Sequence, residues 1–478
     1  MCTDFYGRLS VAGLRSVVPG VSNKKNVGAK DFSLSKKEKE MNKTKTVATL
    51  AATAVMGVAG AAYAVPEVSN VTMTQRVNSR IVDIGYTLAG EEAIVTLSIE
   101  TNGVALPDSA VTQLSGDVAT VVQMGSRSIV WNAGADWPEH SVTDARARVT
   151  AWQTNSPPQC CVVDLAGGIV ADTYPVTYYV SVNALPGGVT NDLYKTTRLV
   201  MRKIPATGVQ GFKMGSPSSE AYRDSNREDW HDVELTKDYY VGVYEVTQSQ
   251  WQQVMSDVRS WPAKWSNADY KLMRPVEQVS YDDIRGSSAG AGWPANDNVD
   301  VDSFIGRLRT KAGSAGFDLP TDAQWEYACR AGTSGALNDG TMNLTNSNSD
   351  ARMDLLGRYQ FDGGKIWSGT SWSDPATDCT TANATAAVGS YLSNAWGLYD
   401  MHGNVWEWCL DWYSEKLGVD AVTDPVGAEV GSGSNRVLRG GSWDSTASNG
   451  RSAYRHRDCP PPSLRYYSIG FRLVRTLP

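Results

Sequence analysis

Histidine is nearly absent from these 478 residues: four occur, at positions 140, 231, 402 and 456, and no C-x-x-C pair exists. A zinc site or a histidine-rich iron site therefore has little to be built from. Phenylalanine is scarce too, 7 residues against 16 tryptophans and 21 tyrosines, so most of the aromatic surface carries a polar handle. With 44 glycines and 20 prolines, the chain is broken too often for a bundle of long helices.

Residues 1–40 carry eight Lys or Arg against four acids and show no sustained periodicity. They read as an upstream or disordered leader. Residues 41–64 read as a secretory signal peptide: Met41 to Lys45 is a short basic start, Val47 to Ala61 an apolar run, and Ala62-Tyr63-Ala64 a small-residue cleavage site. A membrane anchor is the alternative, but the run is rich in Ala and Gly and near the lower length limit for a span. No cysteine follows it, which argues against a lipoprotein. Without residues 1–64 the formal charge moves from −7 to −13. The expectation is a secreted, periplasmic or cell-surface protein with no membrane insertion after cleavage and no nucleic-acid partner. Export permits disulfides among Cys160, Cys161, Cys329, Cys379, Cys409 and Cys459, whose pairing stays open.

From residue 65 to 155 short alternating segments are separated by Gly, Asp, Asn and Pro clusters. Val82, Ile84, Tyr86 and Leu88 fall on one side of a strand, and Ala93, Val95, Leu97 and Ile99 do the same on another. This predicts a small all-β sandwich of immunoglobulin or fibronectin type. Residues 156–200 read as a linker or as edge strands of the next domain, with Tyr174 to Val182 and Arg198 to Arg202 as a candidate pair across the Pro186-Gly187-Gly188 turn.

Residues 201–478 mix strands with short helices. Thr247 and Ser280 are placed to N-cap helices, and Thr321 with Gln324 has capping-box spacing before Trp325. Three stretches stand out in this part: Leu319 to Ala328, Asn394 to Trp408, and the closing segment from Arg436 to Pro478 with Gly440-Gly441-Ser442-Trp443 and Gly470-Phe471-Arg472. In that order they resemble the motifs of the sulfatase-modifying-factor family, the formylglycine-generating enzymes and their relatives. The resemblance implies an α+β, C-type-lectin-like fold with much irregular structure. It also implies a calcium site in which Asp400 and Glu407 supply carboxylates and Gly403 and Val405 backbone carbonyls. Two acids around a glycine turn suit a hard, oxygen-seeking cation. Trp325, Trp396 and Trp408 are expected in the core.

The same resemblance puts oxidase activity in doubt. Formylglycine-generating enzymes bind copper through two cysteines shortly after the Gly-Gly-Ser-aromatic turn, and a soft cuprous ion wants thiolates. Here Ser445 falls at the first position, and Ala447 or Gly450 at the second. Copper is therefore not expected, and no catalytic residue is assigned. Trp406, Ser442 and Arg455 match residues that line the family's pocket and would remain as its remnant.

Residues 444–478 contain no Lys, Glu, Gln, Met or Trp. Those five are the residue types that an AAC codon cannot reach when its two adenines are replaced. Asp444, Ser445, Thr446, Ser448, Asn449, His456, Arg457, Asp458, Cys459, Tyr466, Tyr467 and Ser468 can all arise that way. They alternate with apparent anchors at Ala447, Arg451, Ala453, Arg455 and Ile469 to Arg472. The segment resembles the variable region of a diversity-generating retroelement target, a class that displays ligand-binding residues on a lectin-like fold. These twelve residues are the candidate contacts to a protein or carbohydrate ligand on another cell or surface. Mixtures of Tyr, Ser, Asp, Arg and His behave as adaptable paratopes. The alternative is a formylglycine-generating oxidase acting on a sulfatase cysteine.

Overall fold

The alternation in Ile81–Ala89 becomes one face of a sheet: Val82, Ile84, Tyr86 and Leu88 are buried, and the residues between them only partly so. This computed structural model describes residues 65–257, 272–287, 298–373, 384–427, 435–456 and 460–477. The leader, the signal segment, Cys379 and the candidate residues Arg457, Asp458 and Cys459 lie outside the described residues. Among the described residues, no helix is long and apolar enough to cross a membrane.

Ile81–Ala89 pairs with Glu67–Gln75 on one side and Gly125–Asn132 on the other, and Leu114–Gly116 extends that sheet. The second sheet is built on Ala93–Thr101, which pairs with Arg146–Trp152 over seven residues and with the short strands Val104–Ala105 and Val121–Val122. Val82, Ile84, Val95, Leu97, Ile99, Ile129 and Trp131 from both sheets share one core. Each fully buried aliphatic side chain adds about 1.5–3 kcal/mol. Ile94, on the opposite face of its strand, is buried as well: it packs in a cluster with Cys161, Tyr178 and Leu477, which cover that face.

The segment read as linker or edge belongs to a six-stranded sheet in the order Val176–Tyr179, Cys160–Asp164, Arg198–Ile204, Tyr239–Gly242, Val474–Thr476, Phe317–Asp318. Val176–Tyr179 does not pair with Arg198–Ile204, because Cys160–Asp164 lies between them and bonds to both. Cys160 to Val163 are buried without interruption, so the strand has no alternation by which to be recognised. The last strand of the chain enters between Tyr239–Gly242 and Phe317–Asp318, which closes the fold around its own C-terminus.

The predicted caps form. Thr247, Ser280 and Thr321 each accept from the backbone three residues on, and Gln250, Asp283 and Gln324 reach back, giving three capping boxes. Trp251 stacks on Phe304 at 5.3 Å and meets Phe471 edge-on, which locks two short helices against the closing segment. Trp325 and Trp408 are core residues as expected, whereas Trp396 is only partly buried.

Candidate binding groove

A three-stranded sheet carries the site: Trp406–Trp412 lies centrally, antiparallel to Arg436–Arg439 and parallel to Ile469–Gly470. The chain between the two outer strands runs out as a long irregular surface. Its exit needs Gly440 and Gly441, at φ +93° and +79°, where a side chain at 441 would come within 3.0 Å of Gly450.

Buried polar contacts then pin the segment from beneath. Arg451 places its guanidinium on Glu228 at 2.6 and 2.8 Å and on Glu220 at 2.7 Å, while its Nε donates to the Ser448 carbonyl. Arg439 bridges Asp322 and Glu326, and Arg472 clasps Glu407. The Trp443 indole donates to the Tyr467 carbonyl, tying the first half of the segment to the second. The apparent anchors Ala447, Arg451, Ala453, Arg455, Ile469, Phe471 and Arg472 are all buried.

Between these anchors opens a groove of about 430 Å³ lined by Asp444, Ser445, Thr446, Asn449, His456, Tyr466 and Ser468, seven of the candidate contact residues, together with Trp406. The His456 ring meets Trp406 edge-on at 4.6 Å, and Tyr466, 42 % exposed, packs on Tyr467 at 4.2 Å. Ser445 and Ser468 line the groove from buried positions: Ser445 donates a hydrogen bond to the Ser442 hydroxyl, whose own proton goes to Asp444, and the Ser468 carbonyl accepts from the Trp406 N–H. Ser448 and Tyr467 do not line it. Ser448 bonds to Thr446, and Tyr467 supports Tyr466.

The remnant residues separate. Trp406 lines the groove, and Ser442 lies behind it, donating to Asp444 at 2.6 Å. Arg455 faces elsewhere, held by Asp322 at 2.8 Å and by the Ser414 carbonyl in a different cavity. Sequence reasoning missed Gln360, Leu438, Pro460, Leu464 and Ile469, which complete the lining. Leu464, a lone apolar residue in a polar stretch and 37 % exposed, was the readable signal. Gln360 arrives from a distant loop whose N–H donates to the Ser445 carbonyl, and nothing local marks it.

The calcium set does not assemble as the resemblance implies. Both Glu407 oxygens are taken by the Arg472 guanidinium at 2.7–2.9 Å, and the Trp325 indole N–H adds a bond at 2.6 Å. Asp400 accepts from the Gly389 N–H with one oxygen, and its other oxygen is buried without a partner. Burial pushes the Asp400 carboxyl up to about 6. Burial also raises Glu245 well above the carboxylate range, with the charges of Asp400 and Glu407 adding to it. A dication needs free carboxylate oxygens, and Glu407 has none to offer. The residues present do not fit that cation, and the acids hold Arg472 instead.

Cys160, Cys161, Cys329 and Cys409 are free, buried thiols. Burial raises Cys160 and Cys329 to about 12 and Cys161 to about 11, so none is a thiolate near neutral pH, and none lines the groove. Among the described residues, the groove offers one carboxylate, hydroxyls, two amides, an imidazole and a phenol over an apolar floor. That inventory suits hydrogen bonding and stacking.

Residues 207–477 match the model of the sulfatase-modifying factor enzyme 1-like domain. Chaperone protein LppX of Paenibacillus barcinonensis is 31 % identical over 253 residues, covering 50 % of this chain and 78 % of that protein. A formylglycine-generating enzyme of Streptomyces coelicolor is 30 % identical over 292 residues, covering 55 % and 85 %. Among solved structures, Treponema denticola variable protein 1 aligns over 59 % of this chain and 96 % of its own at 26 % identity, with a TM-score of 0.42. The matched span takes in the whole groove, its three-stranded platform and the arginine clasps beneath it, and on that span the chain belongs to the sulfatase-modifying factor enzyme 1-like family.

Proposed function

We propose that this protein is an exported binding protein that uses the family scaffold to present a diversified C-terminal surface to a protein or carbohydrate ligand. One observation carries the reading: seven of the nine described candidate residues, picked from the sequence as contacts, converge on a single groove, while Ala447, Arg451, Ala453, Arg455 and Ile469 among them are buried anchors. A surface built this way changes its chemistry at low cost in stability, because the exchanged side chains are not the ones that hold the segment down. The groove works through an adaptable polar rim and rigid rings, as paratopes do.

The test is deep sequencing of the gene's 3′ end in a population of the source organism. Substitutions are expected to concentrate in the codons for residues 444–446, 448–449, 456–459 and 466–468, opposite adenines in a nearby near-copy. A uniform segment with no near-copy would remove diversification from the reading.

The similarity to formylglycine-generating enzymes favours a second reading, a cysteine oxidase. By the resemblance, Ser445 falls at the first of its two thiolate positions and Ala447 or Gly450 at the second. Purified protein given copper, oxygen and a Cys-x-Pro-x-Arg peptide is expected to yield no aldehyde. Turnover to formylglycine would restore the oxidase.

A further inference from the structure

Six buried arginines of this protein, Arg285, Arg330, Arg439, Arg451, Arg455 and Arg472, each face a carboxylate. Arg475 departs from this pattern. No ion pair joins it to an acid among the described residues, and its Nε and Nη1 are buried without a well-formed hydrogen bond, the Tyr178 hydroxyl and the Cys161 thiol being the polar side chains that act on the guanidinium. Its guanidinium lies 5.5 Å from the Tyr178 and Phe317 rings and 5.9 Å from Tyr240. Cation–π contacts recover only part of what desolvating a guanidinium costs. Cys161 does not supply the missing charge, since burial keeps its thiol neutral near pH 7.

Arg475 lines a cleft of about 710 Å³ between the β-sandwich, which contributes Val121, and the closing strand with the turn Gly313 to Gly316. That volume is in the range of small-molecule sites. Among the described residues no acidic side chain lines the cleft, and Thr154, Ser314 and Thr476 add hydroxyls beside apolar Val121 and Val176. Nη2 is the one guanidinium nitrogen not sealed off there.

We propose that this cleft is a second binding site, separate from the groove, for a small molecule that bears an oxyanion, with Arg475 as its anchor. A carboxylate, sulfate or phosphate group is the shared chemistry: each accepts from a guanidinium edge with a charge-assisted bond. The apolar walls take the body of the molecule. A ligand held between Val121 and the closing strand ties the sandwich to the C-terminal domain, so its binding shows as added stability of the whole chain.

The experiment is thermal unfolding of the full protein in sodium phosphate, sulfate, acetate or benzoate, each against sodium chloride of equal ionic strength. At least one anion is expected to raise the melting temperature saturably in the wild type and not in Arg475→Gln. Benzoate exceeding acetate identifies a carboxylate with an apolar body, whereas phosphate or sulfate exceeding both identifies a tetrahedral oxyanion. Arg475→Lys keeps the charge but not the fixed, planar position of the Nη2 donor, so its half-saturating concentration is expected to rise about tenfold. No response beyond chloride in the wild type overturns the site. So does an equal response in Arg475→Gln, a general salt effect only, or, if that variant does not fold, an unchanged midpoint in Arg475→Lys.

Discussion

Arg451→Met is expected to cost about 3–5 kcal/mol and to lower the melting temperature by about 10 °C, measured by thermal or urea unfolding at pH 7.5. The arginine is fully buried, and its nitrogens bind Glu228 twice and Glu220 once. Glu220 is already held above the usual carboxylate range by burial, and one of its oxygens has no partner. Methionine fills the space but leaves two buried acids without their ion-pair partner, with Arg330 acting on Glu220 only at a distance, so at pH 7.5 they must take up protons or open the core to water. Part of the loss is therefore expected to return at pH 5, where protonation costs less. Thr446→Ala and Ser448→Ala, on the same segment, are expected to stay within about 0.5 kcal/mol of the wild type. A comparable loss in all three variants would mean that the segment is one cooperative unit, and the division between anchors and displayed residues would fall.

That division was legible in the sequence because two signals coincide there. Anchor types such as Ala447 and Phe471 are apolar in a polar stretch, and the candidate contacts among them are small polar and aromatic types. The sandwich strands were legible for the ordinary reason that a half-buried strand alternates, as Ile81–Ala89 does. Cys160–Asp164 was not, because burial on both faces erases the period and leaves an apolar run after two prolines. The placement of Val474–Thr476 between strands more than two hundred and more than one hundred and fifty residues upstream is non-local, and no window on the chain contains it. At the site, chemistry misled in two places. Glu407 has the type and spacing of a cation ligand, yet a buried guanidinium satisfies the same oxygens, and only the fold brings Arg472 to it. Arg455 matches the pocket motif in sequence, yet Asp322 turns it away from the groove.

His402 gives the second large effect. Its ring is completely buried beneath the displayed segment, where Nε2 accepts from the Asn338 N–H at 3.1 Å. Nδ1 must then carry the proton, and it donates to the Gly450 carbonyl at 2.6 Å. A second proton would set an N–H against the Asn338 N–H in a completely buried site, and burial accordingly pushes the imidazole down to about 4. In the unfolded chain it titrates near 6.5. The folded state thus binds fewer protons between those values, so its stabilising contribution is complete above about pH 6.5 and is lost as the pH falls through 4. The expected loss between pH 7.5 and pH 4 is about 3 kcal/mol, of which about 2 kcal/mol is gone by pH 5. Buried acids act in the opposite sense: burial raises Asp400 to about 6 and Asp411 to about 7, and raises Glu220 and Glu245 as well, so their contribution is largest at low pH and declines as the pH rises through their folded-state values. The raw profile of the wild type mixes all of these groups, and the informative quantity is its difference from His402→Asn. The asparagine amide can still donate to Gly450 but has no proton to gain, so the variant is expected to be less stable at pH 7.5 and to lose less on acidification. Parallel profiles would show that the imidazole is charged or solvated in the folded protein, and that the contact from His402 to Gly450 does not hold the displayed segment in place.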